Sequence, residues 1–320
     1  MNKACSSVLA GLVALLLPSF ACSQTYPVKP VRVVVPFAPG GSNDIVGRIV
    51  FQQVAKSLGK QFVIENRPGA GGVMGAAFVA SSAPDGYTIL MHSAVLLSNA
   101  HLHKQPYDSL NDFIGVTPLG KQVFMLVVHP SLPVKSVAQF IALAKRNPDQ
   151  ILYGSGGFGT TPHLSMALLT SMSRARMAHV PYKGGGPAGV SLISGETQAM
   201  MANTGVLLQH IKSGRVRPLG VTSSQRMPLF PNIPTIGETV PEYEFIGWVG
   251  CFVPAGAPKA VIEKLNAVLR EALSDRGVAD QLSNQTFDPM YMASGEFTRL
   301  LKAEYEKYRA LAKEIAASNK

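Results

Sequence analysis

One arrangement of residues occurs three times in this sequence: a short strand, a loop with several glycines, and the start of a helix. In the first copy, the β-branched run 31–35 ends at Pro36, the loop contains Gly40 and Gly41, and apolar residues then recur at helical spacing. The first N–H groups of a helix lack intrahelical partners, and together with the helix dipole they favour an anion such as a carboxylate or phosphate. One such turn is ordinary, and only the repetition predicts a ligand site.

The other two copies follow predicted strands at 152–153 and 178–180. Ser42 or Asn43 is expected to cap the first helix, and Thr161 the second. Ligands of open α/β sheets bind beyond the carboxyl ends of the strands, so facing loops from two domains would enclose a ligand in a cleft. The first two loops contain no Arg or Lys. This predicts recognition by backbone amides, hydroxyls and helix ends rather than by ion pairs.

The first 23 residues have the pattern of a secretory signal peptide. Lys3 supplies a positive charge, and residues 8–17 form an apolar run that is shorter than a membrane span. We expect cleavage after Ser23 and an exported protein; lipid anchoring at Cys22 is the less favoured alternative. No later run is long and apolar enough to span a bilayer.

The mature chain would have 320 − 23 = 297 residues, a length typical of roughly two domains. We predict a discontinuous domain 1 of residues 24–128 plus 245–320, and a domain 2 of residues 129–244. The composition, 47% hydrophobic and 15% charged, is that of a globular α/β protein. Without Lys3 the balance is 28 basic minus 19 acidic residues, or +9, and the basic residues are scattered. This argues against a nucleic-acid partner.

The sequence gives little support to enzyme chemistry. With the signal peptide removed, Cys251 remains alone in an apolar strand, where a buried, inert thiol is expected. The sequence has no His pair or Cys cluster at metal-ligand spacing, no Gly-x-Ser-x-Gly and no P-loop. Met74 stands where a dinucleotide fingerprint needs its third glycine. We therefore expect no cofactor and no metal.

Periodicity and turn residues predict the remaining elements. The further strands are expected at 61–65, 88–91, 112–119, 122–128, 198–202, 217–221 and 244–253. The further helices are expected at 73–80, 137–146, 206–212, 259–274, 278–283 and 296–316.

Five short motifs are spread over the mature chain. They are Tyr26-Pro27 with 31–41 (VRVVVPFAPGG), 65–72 (ENRPGAGG), 84–88 (PDGYT), 154–156 (GSG) and 180–184 (VPYKG). Together they resemble the Bug-type periplasmic solute-binding proteins, the receptors of tripartite tricarboxylate transporters. The resemblance implies an α/β fold of the two-lobed type II periplasmic binding protein class (Venus flytrap), with two doubly wound sheets and a cleft between them.

The resemblance also implies a function. Members of the family bind small carboxylates or related polar solutes through loop amides, hydroxyls and ordered waters, without an arginine clamp. For this chain we therefore expect a periplasmic, monomeric receptor that takes a small organic anion, an organic acid or an acidic amino acid, to the permease subunits of a membrane transporter.

The expected binding residues lie in and beside the three loops. Asp44 is more simply explained as stabilising the first turn of its own helix, with contact to a ligand amine as the alternative. His163 at a helix start is more often structural or exposed than ligating, and Phe37 either walls the pocket or fills the core. The candidates are Phe37, Gly40, Gly41, Ser42, Asn43, Asp44, Ser93, Ser155, Gly159, Thr160, Thr161, His163, Tyr182, Gly184, Gly185 and Asn203.

Two other functions stay open at this point. An exported α/β hydrolase-like enzyme would need the fold to bring a serine and a histidine together, for example Ser155 and His163. A ligand-sensing domain would pass its ligand state to a signalling partner and would look the same in sequence.

Overall fold

The computed structural model describes residues 26–318, so the predicted signal peptide lies outside the described residues. Strands and helices alternate along most of this range. The strands are β1 Val31–Val35, β2 Phe62–Asn66, β3 Thr88–Ser93, β4 Phe113–Val128, β5 Leu152–Ser155, β6 Ala178–Pro181, β7 Ala199–Asn203, β8 Arg217–Val221, β9 Ile246–Pro254 and β10 Phe287–Pro289. The helices are α1 Ser42–Leu58, α2 Val73–Ala80, α3 Val95–Leu102, α4 Val137–Arg146, α5 Thr161–Ser173, α6 Gly185–Ser194, α7 Thr204–Lys212, α8 Lys259–Ser274, α9 Arg276–Asn284 and α10 Ser294–Ser318.

The strands form two mixed sheets that share β4. In the first half, β2, β1 and β3 are parallel, β9 pairs antiparallel between β3 and β4, and β10 adds to β4. In the second half, β6, β5 and β7 are parallel, and β4 lies antiparallel between β7 and β8. The α/β periplasmic binding protein fold expected from the motifs is thus built with antiparallel strands at the centre, where the halves join.

The strand β4 joins the two halves without a break. Residues 113–123 pair with β9, and residues 124–128 pair with β7. The sequence predicted two strands, 112–119 and 122–128, separated at Gly120 and Lys121. That prediction is wrong, since Gly120 and Lys121 both pair with β9 through a register shift. The predicted domain bounds at 128 and 245 stay a prediction.

Three buried apolar clusters hold the fold. One covers β1, α1, α8 and α9, and its members include Val33, Val50 and Leu269. A second runs through α4, α5 and α10 and contains Phe124 and Phe297. A third lies under α6 and α7. Cys251, fully buried in β9, belongs to the first cluster, and burial raises the pKa of its thiol. It is a packing residue, as expected.

Candidate ligand-binding site

The three glycine loops meet where the two halves face each other. Loop 1 is residues 36–41, loop 2 is 156–160 and loop 3 is 182–184. The amide of Ala38 in loop 1 donates to the carbonyl of Lys183 in loop 3 over 3.3 Å. A Cβ added at Gly156 would lie 3.2 Å from the carbonyl carbon of Gly184, so loops 2 and 3 pack backbone to backbone.

A cavity of about 440 Å³, counting its open mouth, lies among these loops. Its lining residues come from the starts of α1, α3, α5 and α6, from loops 1 and 2, and from the ends of β3 and the middle of β4. They are Phe37, Gly41, Ser42, Asn43, Ser93, Val95, Gln122, Phe124, Gly156, Thr160, Thr161, Pro162 and Gly185. Loops 1 and 2 contribute to the lining, and loop 3 leads into Gly185, the first residue of α6, which lines the cavity. That the three loops bind one ligand stays a prediction.

The three helices that follow the glycine loops begin at this cavity without a side-chain cap, and so does α3, whose N-cap residue is Ala94. The N-cap residues of α1, α5 and α6 are Gly41, Thr160 and Gly184. The first helical acceptor in each case is the N-cap carbonyl, reached by the amide of the fourth residue beyond it, for example Ile45 to Gly41 at 3.0 Å. The preceding N–H groups have no intrahelical acceptor.

Two predicted caps are therefore wrong. Ser42 and Asn43 are the first and second residues of α1 rather than its cap, because Gly41 already has the extended backbone of an N-cap residue. Thr161 is the first residue of α5, one position after its cap. The hydroxyls of Ser42 and Thr161 and the side-chain amide of Asn43 therefore do not cap these helices, and all three side chains lie on the cavity wall.

The polar side chains of the lining are uncharged and nearly buried. Gln122 Nε2 donates to Ser42 Oγ over 2.6 Å and so ties β4 to the start of α1. Thr160 Oγ1 donates to the carbonyl of Gly157 over 2.7 Å. Among the described residues, Asn43 Oδ1 is buried without a hydrogen-bond partner. A buried acceptor of this kind normally finds a water or a ligand donor.

Asp44 stabilises loop 1 rather than lining the cavity. Its Oδ2 accepts from the amide of Gly40 and from Arg48 Nε, both at 3.0 Å, and its Oδ1 accepts from Asn66 Nδ2 at 3.0 Å. Burial raises the pKa of Asp44, but these hydrogen bonds outweigh it and hold the pKa below its ordinary value. The carboxylate thus binds Gly40 of loop 1, Arg48 and Asn66, and contact of Asp44 with a ligand stays a prediction.

A cluster of histidines contacts loop 2 and the end of β5. Ser155 Oγ lies 2.6 Å from His179 Nε2, and the amide of Gly159 donates to His163 Nδ1 over 3.1 Å. His103 Nε2 lies 3.0 Å from the carbonyl oxygen of Phe158. The rings of His163 and His179 are 4.2 Å apart, centroid to centroid. Ser155, Gly159 and His163 therefore hold the conformation of loop 2 and are not among the residues that line the cavity.

Burial keeps His163 and His179 neutral. It lowers the pKa of His163 to about 3, with help from the nearby His179, and lowers the pKa of His179 to about 4. Ser155 has no exposed surface, so a substrate cannot reach its hydroxyl. The pair of Ser155 and His179 is therefore a hydrogen bond of the scaffold and not a nucleophile with its base.

The remaining predicted residues also lie beside the cavity without lining it. Gly40 has φ +80° and gives its amide to Asp44, and Gly184, with φ +135°, caps α6 against Ala38. Tyr182 packs on the core of the second half. Asn203 caps α7, with Oδ1 accepting from the amide of Gly205 over 2.7 Å. Direct ligand contact by these residues stays a prediction.

The sequence did not single out five lining residues. Gly156 and Pro162 lie within a loop that the sequence did flag, so proximity was the available signal. Gln122 and Phe124 alternate on one face of β4, a pattern that looks like any half-buried strand. Val95 opens α3, a helix that the sequence did not predict.

Residues 46–317 match the family model described as the tripartite tricarboxylate transporter family receptor, TctC. The chain belongs to this family. BugT of Bordetella pertussis is 33% identical over 302 residues, covering 93% of each chain. The structure of R. palustris Rpa4515 with adipate is similar with a TM-score of 0.88 and 31% identity, covering 91% of this chain and 98% of that one. MatC (Rpa3494) from Rhodopseudomonas palustris with bound malate has a TM-score of 0.86 and 30% identity, covering 90% and 100%.

Family membership confirms the Bug-type resemblance and the periplasmic binding protein fold. TctC proteins are solute-binding receptors that work with membrane permease components, which confirms a receptor rather than an enzyme. Within residues 26–318, no helix is long and apolar enough to cross a bilayer. In the same part of the chain, no three His, Cys, Asp or Glu side chains are grouped to hold a metal ion.

Proposed function

We propose that this TctC receptor holds the carboxylate of a small organic acid at the starts of α1, α5 and α6, and delivers the acid to the permease subunits of a tripartite transporter. The observation that carries the proposal is the convergence of three uncapped helix starts, from both halves, on one cavity. The relatives with adipate and with malate, both organic acids, support it.

The physical argument rests on what the lining offers an anion. Free N–H groups at the first turn of a helix donate to carboxylate oxygens, and the helix dipole adds a favourable field. Hydroxyls of Ser42 and Thr161 provide further donors. A neutral lining also avoids an uncompensated buried cation when no ligand is bound, which would cost several kcal/mol.

Binding by both halves predicts a stabilised protein. A ligand that contacts α1 from the first half and α5 and α6 from the second favours the conformation in which the halves face each other. A ligand present at a hundred times its Kd stabilises the folded state by about 2.7 kcal/mol. We therefore expect a carboxylate from a panel of mono-, di- and tricarboxylates and acidic amino acids to raise the melting temperature.

The decisive variant is Asn43→Asp, which changes the cavity wall by one charge and almost no volume. A carboxylate about 4 Å from a ligand carboxylate is repelled by about 4 kcal/mol at an effective dielectric of 20. After relaxation we expect at least a tenfold rise in Kd by isothermal titration calorimetry, which is about 1.4 kcal/mol. Asn232→Asp, on the exposed connector after β8, makes the same change in net charge and should bind like the wild type.

Two results would remove the proposal. In one, no carboxylate in the panel shifts the melting temperature. In the other, Asn43→Asp binds the best carboxylate as tightly as Asn232→Asp does, because the carboxylate would then lie elsewhere.

A further inference from the structure

Loop 2 contacts the first half of the molecule as well as the cavity. Ser98 Oγ, on α3, donates to the carbonyl of Gly159 over 2.9 Å, and His103 Nε2, just after α3, lies 3.0 Å from the carbonyl oxygen of Phe158. A carbonyl oxygen only accepts, so His103 Nε2 carries the proton of this bond. We call these two hydrogen bonds the α3–loop 2 contact. It joins the two halves, because α3 follows β3 and loop 2 follows β5.

The two halves approach each other closely at this contact. A Cβ added at Gly71, in the first half, would lie 2.9 Å from the carbonyl oxygen of Phe158. A Cβ added at Gly159, in the second half, would lie 3.3 Å from His103 Nε2. The rings of Phe158 and His103 also meet edge-on, with their centroids 5.6 Å apart. A glycine on each side therefore allows the two backbones to pack directly against each other.

The contact can break without leaving a buried polar group unpaired. The Val95 carbonyl lies 3.2 Å from Ser98 Oγ within α3, and it can accept from that hydroxyl when Gly159 moves away. His103 is only partly buried, so water can replace Phe158 as its partner. Each bond therefore favours the closed arrangement of the halves by the net amount typical of a neutral hydrogen bond, about a fivefold change in the closing equilibrium.

The closed arrangement positions part of the cavity wall. Gly156 and Thr160 of loop 2 line the cavity, and Thr161 follows at the start of α5. Ser98 and His103 are not among the lining residues. When the binding-competent conformation of a protein is only partly populated, its apparent affinity for a ligand is reduced by that fraction. A residue that favours closure therefore raises the affinity without touching the ligand.

We propose that Ser98 and His103 are positioning residues for ligand binding, which hold loop 2 against the first half and so set the fraction of the receptor that is closed. This inference rests on the ligand site of the proposed function. Because neither side chain lines the cavity, both residues act equally on every ligand that the cavity takes. They set the affinity, and the residues that line the cavity set the selectivity.

Three variants of the mature protein test the inference by calorimetry with the carboxylates that bind. Ser98→Ala and His103→Leu should each raise the Kd at least threefold, and by the same factor for each carboxylate. His103→Gln retains an N–H donor near the position of Nε2 and should bind within twofold of the wild type. If one of the first two variants does not fold, the other decides.

Two hydrogen bonds of the same kind within the first half provide matched controls. Ser109 Oγ donates to the carbonyl of Leu96 over 2.6 Å, and His101 Nε2 lies 3.1 Å from the carbonyl oxygen of Tyr305. Neither bond joins the two halves. Ser109→Ala and His101→Leu should therefore lower the free energy of unfolding in urea while leaving the Kd within twofold of the wild type.

A distance measurement separates the inference from the proposed function. Spin labels attached at Ser57→Cys on α1 and Ala142→Cys on α4 mark exposed positions on the two halves, and Cys251 is buried and stays unlabelled. Double electron–electron resonance then gives the distribution of label–label distances in the ligand-free protein. Ser98→Ala and His103→Leu should add a population at a distance that the wild type occupies less, and the two control variants should not.

Unchanged Kd values and distances in both variants, or equal changes in the two controls, would overturn the inference and leave the proposed function intact. Different factors for different carboxylates would also overturn it, because Ser98 and His103 would then select the ligand rather than position loop 2. If no carboxylate binds, the proposed function fails, and the distances alone decide the inference: the added population supports it, and distributions identical to the wild type overturn it.

Discussion

Acid should weaken this protein through the buried His92 and His163 and the partly buried His179, in a pH range where carboxylates contribute little. Burial lowers the pKa of His92 to about 3, that of His163 to about 3 and that of His179 to about 4. In the unfolded chain each imidazole titrates near 6.5. Between these values the unfolded chain binds protons that the folded protein does not, so the free energy of unfolding falls as the pH falls.

The expected loss is large. From pH 6.5 to pH 5 each of these histidines should cost between 1 and 2 kcal/mol, and the three together about 5 kcal/mol. Typical domains are stable by about 5 to 15 kcal/mol, so this is a substantial fraction of the total. The contribution is fully present above pH 6.5. Asp44 also has a lowered pKa, but its contribution is lost only below the ordinary range of an aspartate, near pH 4.

Urea unfolding at pH 5, 5.5, 6 and 6.5, at constant ionic strength, gives the slope of stability against pH. His92→Gln, His163→Gln and His179→Gln should each reduce that slope by about a third. At pH 8, where these histidines are neutral in both states, the same variants should show no change in slope relative to the wild type. A flat profile between pH 5 and 6.5, or single variants that retain the full slope, would refute the reasoning.

Two further predictions concern the scaffold of the site. Gly75→Ala should lower the free energy of unfolding by about 1 to 3 kcal/mol, because the added methyl would lie 2.7 Å from Pro36 Cβ and 2.9 Å from the carbonyl oxygen of Arg67. Gly295→Ala is the control: a methyl added there has nothing within 4 Å, so this variant should be neutral or slightly stabilising in thermal unfolding. Tyr243→Phe should lower the free energy of unfolding in urea by about 1 to 2 kcal/mol, because the buried hydroxyl donates to the carbonyl of Ser165 over 2.8 Å. Tyr291→Phe should cost less, because Tyr291 is exposed and water can replace its hydrogen bond to Asn266. Equal losses in the two variants would contradict the argument.

Local signals predicted much of this fold. The bounds of α2, α4 and α8 agree with the sequence prediction to the residue, as do those of β1 and β8. Each of these elements has a clear period and a turn residue or proline at one end, for example Asn147 and Pro148 after α4. The recurrence of the glycine loops also predicted that they would meet, since the carboxyl ends of neighbouring parallel strands share one edge of a sheet.

The predictions that were wrong or missing concern elements whose conformation depends on residues distant in the sequence. The predicted strands 112–119 and 122–128 are one strand because Gly120 and Lys121 pair with β9, which lies more than a hundred residues later. The helix α3 was missed because Val95, Leu96 and Leu97 form an apolar run that suits a strand as well as a helix. Its burial under α10, from the end of the chain, decides the conformation.

The cavity residues also divide into those that local sequence patterns predicted and those that depend on distant parts of the chain. The glycine loops predicted Gly41 and Gly185 as cavity residues, and the neighbouring hydroxyl residues Ser42 and Thr161 were predicted with them. Gln122 and Phe124 reach the cavity only because β4 runs through both halves, which no local pattern reports. Ser155 and His163 were predicted as ligand-binding residues because their side chains can form hydrogen bonds. In the structure those hydrogen bonds hold loop 2.

The position of β9 in the sequence sets an order of events for folding of the chain from its N-terminal side. Strands β3 and β4 both pair with β9, yet all of the second half lies between β4 and β9 in sequence. A chain that has emerged only as far as residue 245 therefore carries two long unpaired strand edges, and its first lobe has no centre. Such edges are sites of wrong pairing between chains. The first lobe becomes complete only when β9 is available to pair, so late closure of this lobe is a consequence of where this one strand is encoded.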